Sequence, residues 1–415
     1  MSNKVIDKSQ INDVNLDQKW LMPMSQNQFD FMSKVLSSPS PIGFEAAMSY
    51  GVIKPEFESF MPKTWGIHQF KSNASIVFDS HPGRDDLTSI MIVGHADKIR
   101  MQVRKIDSDG KVWINTDSFL PTTLIGHEVK VFCQNPEKLG SFKVIQGCTV
   151  EALGAIHFST PSQRTGEQGI KPESIYLELH THGDDRKAQV EALGLRAGDP
   201  ILLDRPIKRG VAHNTFYGAY LDNGLGCFSV TEIARILAQE KLDNIRVFYT
   251  IATHEEIGRF GSTQVVGELK PDILIATDVN HDYEAAPGIG ARNMNPLKMG
   301  KGFTMTRGSV ASEFLVQTLE RVCREQKIPY QLDFAGRDMG TDGMAAALAG
   351  VDSAAISIGY PIRNMHTSSE SAHTGDLLAS IEAITQLLRH FNGVNNGVGI
   401  TRDDLKNSHV RLDNL

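Results

Sequence analysis

Two adjacent carboxylates, Glu255 and Glu256, follow a run of β-branched and aromatic residues and are closed by Gly258. The run, residues 244–252, reads as a buried strand of an α/β sheet. Ligands of such sheets bind where strands end and loops begin. Neighbouring carboxylates at such a place can divide their work. One holds a metal ion while the other takes a proton from water. Alone, the pair is better explained as two solvated loop residues. Partners elsewhere change that: His95, Asp222, Asp278 and His366 also stand at strand ends or in the loops after them. Two histidines and three carboxylates suit two borderline metal ions that share one bridging carboxylate. Each residue has a plainer explanation. A histidine after a strand is usually a satisfied surface group, Asp222 suits a helix N-cap, and Asp278 suits a turn.

The elements that must position these residues follow from periodicity. Buried strands are predicted at residues 89–93, 244–252, 271–277 and 352–358, and helices at 26–36, 222–239, 312–326 and 376–391. A helix over 45–61 is expected to kink at Pro55, and short strands at 66–70 and 74–78 precede the first buried strand. Residues 213–220 read as extended, 262–266 as helical, and 344–348 as a small-residue helix. Between 101 and 203 the texture changes to short alternating strands at 101–106, 111–115, 128–133, 142–146 and 174–179. The expected fold is α/β, a mixed central sheet flanked by helices with an inserted small β-barrel or sandwich. The expected boundaries are a loose extension over 1–24, a catalytic domain of 25–100 plus 204–395, the insertion at 101–203, and a polar tail at 396–415.

Composition bounds the partners. A net charge of −7 argues against a nucleic-acid surface. The four cysteines form no C-x-x-C pair, which fits free thiols in a reducing compartment. Neither a signal peptide nor a membrane span is legible, so no membrane partner and a cytoplasmic location are expected.

The chain resembles the M42 metallopeptidases, the glutamyl-aminopeptidase-like family, some of whose members carry cellulase or endoglucanase names. The matching motifs are Pro39-Ser-Pro-Ile-Gly43, Gly94-His-Ala-Asp97, Leu221-Asp-Asn-Gly-Leu-Gly226, Glu255-Glu-Ile-Gly258, Thr277-Asp-Val279, Gly340-Thr-Asp342 and Asn364-Met-His-Thr-Ser368. They run in the family's order from Ser37 to Phe391. The resemblance implies a zinc-peptidase-like catalytic domain with a PDZ-like β insertion, acting as an aminopeptidase on peptides. It implies two divalent ions per subunit, zinc first, with cobalt or manganese as alternatives. His95 would bind one ion and His366 the other. Asp222 would bridge, Glu256 and Asp278 would complete the sites, and Glu255 would be the general base. Asp97 would orient His95. It further implies self-association, commonly as a dodecamer built from dimers.

The chain departs from the family pattern in places. Lys98 and Arg100 stand where an acidic residue and a glycine are usual, Asn223 where a second aspartate is common, and Gly224 where a larger polar residue is common. Thr253 and His254 replace the usual apolar or Gln residues. With Arg363, the cationic Lys98 and Arg100 are candidates to favour acidic substrate side chains. Three other readings stay open. A deacylase of N-acyl amino acids or peptides would use the same centre, and a scaffold would keep it as a vestige. A glycosidase would need two carboxylates flanking a sugar bond and no metal ligands.

Overall fold

The computed structural model describes residues 24–116, 118–135, 137–138, 140–152, 155–283, 295–393 and 397–409. The expected N-terminal extension lies almost wholly outside them. Two compact units emerge. One comprises Met1–Asp97, Ile207–Met365 and Glu370–Leu415, and the other Lys98–Pro206 with His366–Ser369.

The larger unit is built on eight strands. Before the insertion come β1 (Gly66–Gln69), β2 (Ile76–Asp79) and β3 (Thr88–His95). The insertion holds β4 (Met101–Ile106), β5 (Val112–Asn115), β6 (Glu128–Gln134), β7 (Phe142–Ala152), β8 (Ile175–Glu178) and β9 (Pro200–Leu203). After it come β10 (Lys208–Arg209), β11 (Thr215–Gly218), β12 (Ile245–Ala252), β13 (Ile273–His281), β14 (Phe303–Gly308), β15 (Tyr330–Ala335), β16 (Ala354–Ile362) and β17 (Glu370–His373). The large sheet has the order β1-β2-β12-β3-β13-β16-β14-β15. Its four central strands, β12, β3, β13 and β16, are parallel, so their carboxyl ends share one edge. β10, β11 and β17 form a small antiparallel sheet.

Every residue of β3 and β12 is buried. Strands enclosed on both faces read as continuous apolar runs, which is why these were legible in the sequence. Alternation then divides the side chains between two cores. Ile90, Ile92, Val247 and Tyr249 pack with Leu225, Phe228, Ile381 and Leu388. Met91, Val93 and Phe248 pack with Val265, Val266, Ala345 and Ala346 on the other face. Helices therefore cover both sides. On one lie α1 (Gln26–Leu36), α2 (Leu221–Leu237) and α3 (Thr374–Gly393), and on the other α4 (Phe260–Leu269) and α5 (Ala345–Ala349).

The smaller unit is a closed six-stranded barrel, β4-β5-β8-β7-β6-β9. A mixed sheet between helices, with a small β-barrel, is the expected fold class. Details differ from the sequence expectation. The helix expected over 45–61 is broken by a wide π turn at Ser49–Ile53, just before Pro55. Proline lacks an N–H and crowds the carbonyl four residues back, so the bulge falls there. Strands β9, β14 and β15 had no clear sequence signal. The tail, read from the sequence only as polar, contains a short capped helix, Arg402–Asn407, and Arg402 donates to Asp272 at 2.9 Å. Among the described residues no helix is long and apolar enough to cross a membrane.

Candidate metal centre

The centre forms where β12, β3 and β13 end. Ala252 pairs with His95, so the turn carrying Glu255 and Glu256 starts beside the histidine. Asp278 sits on β13, two residues past Ala276, the partner of Val93. Asp222 arrives from the start of α2, and two glycines let it come close. A Cβ on Gly94 would lie 2.6 Å from the Gly226 carbonyl carbon, and one on Gly226 would lie 2.7 Å from the Thr277 carbonyl oxygen. Any side chain at either position would hold helix and strands apart. Asp222 is not the helix cap that the sequence suggested. Its backbone is extended, at φ −78° and ψ 113°. Asn223 caps instead: its Oδ1 accepts from Gly226 N–H at 2.8 Å, and its Nδ2 donates to the Thr277 carbonyl at 2.7 Å. That leaves the Asp222 carboxylate to face His95.

His95 is enclosed, at 1% exposure, and its two ring nitrogens face different neighbours. Nδ1 lies 3.2 Å from the Asp97 carbonyl and 3.4 Å from its Oδ1. Nε2 faces Asp222 Oδ1 at 3.3 Å, Asp278 Oδ1 at 3.7 Å and Glu255 Oε2 at 3.9 Å. The fully buried Asp97 carboxylate also binds the turn itself. Its Oδ1 accepts from Glu255 N–H at 3.1 Å and its Oδ2 from Glu256 N–H at 3.0 Å. One aspartate thus sets both the imidazole and the two glutamates.

The electrostatics are those of crowded carboxylates. Burial, with Asp278, Asp342 and Asp222 adding to it, pushes Glu255 up to about 9 against the pull of His95. Burial and Asp222 push Glu256 well above the carboxylate range, and burial raises Asp278 as well. For His95, burial opposes the charged ring, but Asp97, Asp222 and Asp278 overcome it and raise the imidazole well above its usual value. Such a cluster is short of positive charge, which a divalent ion supplies. The donors fit one. Ligand atoms of His95, Asp222 and Glu256 all lie within 4.8 Å of one another. Two donors each ~2.1 Å from a tetrahedral ion lie roughly 3.4 Å apart, close to the 3.3 Å between His95 and Asp222.

Asp342 was absent from the predicted site residues. It is buried, and burial raises it to about 7, with Asp278 and Asp97 also raising it and His95 and Ser262 opposing. Its Oδ2 has no hydrogen-bond partner among the described residues. The Gly340-Thr-Asp342 motif was its only sequence signal. His254 pairs with Glu45, Nε2 to Oε1 at 3.3 Å, and the same oxygen accepts from Gly43 N–H at 2.8 Å. The Pro39–Gly43 motif is thereby tied to the turn before the glutamates. His366 lies in the turn after β16, in the short stretch grouped with the barrel unit. Lys98 belongs to that unit and is buried, and Arg100 is half-buried. Arg363 donates through Nε to the buried Asp282 at 2.8 Å.

Known proteins place the chain. It is 26% identical over 369 residues to the lysyl aminopeptidase of Pyrococcus furiosus, covering 87% of this chain and 96% of that protein. Its fold matches a TET aminopeptidase from a marine sediment thaumarchaeon with a TM-score of 0.75 at 19% identity, over 88% of this chain and 97% of the other. TET1 peptidase of Pyrococcus horikoshii, described as assembling into a tetrahedron or a large octahedral shell, matches with a TM-score of 0.71 at 16% identity, over 87% and 99%. Residues 75–382 match the sequence profile described as M42 glutamyl aminopeptidase. With that match spanning most of the catalytic and barrel sequence, the chain belongs to the M42 glutamyl aminopeptidase family of hydrolases.

Proposed function

We propose that this aminopeptidase removes N-terminal residues from peptides at a two-ion centre, with Glu255 as general base. The observation that carries the proposal is the convergence of His95, Asp222 and Glu256 within 4.8 Å, with the Glu255 carboxylate beside them. Asp222 would be the carboxylate shared by the ions, and Glu256 and Asp278 would complete the set that holds them. His95 would hold one ion, and by the family resemblance His366 would hold the other. When bound, divalent ions, zinc or else cobalt or manganese, supply Lewis acidity toward the scissile carbonyl and water.

The chain's own groups do the rest. Asp97 fixes the His95 ring through its Nδ1 side and leaves Nε2 for coordination. Glu255 accepts the proton of the attacking water and passes it to the leaving nitrogen. Its side chain is only 11% exposed, so bulk water does not compete for that proton. Lys98, Arg100 and Arg363 remain candidates for contacts to the substrate side chain.

The test is metal dependence. A chelator is expected to abolish turnover of aminoacyl amides, and added zinc, cobalt or manganese to restore it. Full turnover by demonstrably metal-free protein would sink the proposal.

A further inference from the structure

The two oxygens of Glu255 are engaged unequally. Oε2 faces His95 Nε2 at 3.9 Å, whereas Oε1 accepts from Arg259 Nε at 3.3 Å. Arg259 is itself held: its Nη1 donates to Asp338 Oδ2 at 2.9 Å. Asp338 is anchored in turn, because its Oδ1 accepts from Gly340 N–H at 2.8 Å. A second tie runs in parallel. Ser262 Oγ donates to Asp342 Oδ1 and lies 3.1 Å from the Arg259 carbonyl. The guanidinium side chain is 19% exposed and that of Asp338 54%. Arg259 thus reaches from an open carboxylate inward to an enclosed one.

From this arrangement we infer that Arg259 is the positioning residue of Glu255. It clamps Oε1, so that Oε2 is the oxygen presented to the reacting water, and Asp338 sets the clamp. The inference rests on the reading of Glu255 as base. A planar guanidinium suits the task because its N–H groups diverge at fixed angles, and Nε and Nη1 can serve two carboxylates at once. A lysine has one flexible point of charge and cannot hold that geometry. The pair is also i, i+4 in the turn just before α4, where the Arg259 N–H donates to the Glu255 carbonyl at 3.0 Å and brings the two side chains together. The Arg259 backbone is left-handed, at φ 62°, and this conformation starts α4 just beyond the turn that carries Glu255.

The experiment uses the full chain loaded with divalent metal and a leucyl or glutamyl amide as substrate. Arg259→Gln is expected to lower kcat by roughly 10- to 100-fold through misorientation of the base. KM should move by less than about 3-fold, since ground-state binding is untouched. Metal content should match the parent protein. Asp338→Asn, at an exposed site, should show a smaller loss with the same split between kcat and KM. Arg259→Lys should recover only part of the loss. In the Glu255→Gln background, adding Arg259→Gln should cost less than about 2-fold, because both changes act through one group.

An unchanged kcat in Arg259→Gln overturns the inference. So does a raised KM at constant kcat, which would make Arg259 a substrate-binding group, or a multiplicative loss in the double variant. If Arg259→Gln fails to fold, Asp338→Asn decides alone, and a normal kcat there overturns the clamp. Normal turnover of Glu255→Gln would remove the general-base reading itself. An inactive Glu255→Gln beside a normal Arg259→Gln removes only the clamp.

Discussion

Glu255 and Glu256 are one residue apart and meet different neighbours. Glu256 contributes a donor atom to the cluster with His95 and Asp222, while Glu255 is oriented between His95 and Arg259. A metal ligand must stay ionised, and the cations it binds hold it so. A base must take up a proton and release it again. The two substitutions should therefore separate. Glu255→Gln is expected to keep the metal content of the parent protein and lose roughly 10²-fold or more in turnover. Glu256→Gln is expected to lose metal, with partial rescue by excess metal. Metal content and turnover of the two purified variants check this, and the reverse pattern would exchange the assignments.

At the scale of elements, the centre depends on how closely α2 approaches β3 and β13. The atoms that a Cβ on Gly94 would meet belong to the backbone of Gly226 and Cys227 and cannot swing aside. Gly94→Ala is expected to cost about 1–3 kcal/mol and to push Asp222 away from His95. Urea unfolding and metal content report both effects, and metal binding equal to the parent protein would contradict the account. A second tie joins β2 to β12. Arg246 donates to Asp79 through Nε at 3.0 Å and Nη2 at 2.7 Å, and His68 Nε2 lies 3.1 Å away. Burial pushes the Asp79 carboxyl up, and the bonds from His68 and Arg246 more than offset it, holding it at about 2. The folded value lies below the unfolded one, so the unfolded chain takes the proton first as pH falls. The contribution to stability is complete above about pH 4 and disappears by about pH 2. Urea midpoints across that range should fall more steeply for the parent than for Asp79→Asn. Parallel curves would show that the pair contributes nothing.

At the scale of the whole molecule, the six-stranded barrel is a large insertion to keep within a hydrolase. Self-association through it, on the pattern of the family's shell-forming relatives, is the expected reason. Sedimentation of the intact chain at micromolar concentration should give an assembly of many subunits, a dodecamer if it is built from dimers. A stable monomer would count against this.

What the sequence by itself determined is the set of central strands and the residue types at their ends. β3, β12, β13 and β16 are enclosed on both faces, so burial writes them as largely apolar runs, and His95, Glu255, Glu256 and Asp278 stand out as polar residues near or just past their ends. The barrel was legible for a similar reason: short alternating strands differ in period from helices. What only the tertiary structure decided is who meets whom. No spacing shows that Asn223, and not Asp222, caps α2: the cap bond to Gly226 is local, but the Asn223 amide is also held by the Thr277 carbonyl, 54 residues away. Neither the burial of Asp342 nor the Arg259–Asp338 clamp, spanning 79 residues, has a local signature. Edge strand β15 was obscure because partial exposure weakens the apolar run on which a sequence reading depends, and its neighbour β14 because threonines alternate with its apolar residues. Local periodicity records how deeply a residue is buried, whereas the partner of a polar group is set by the folding of distant segments onto one another.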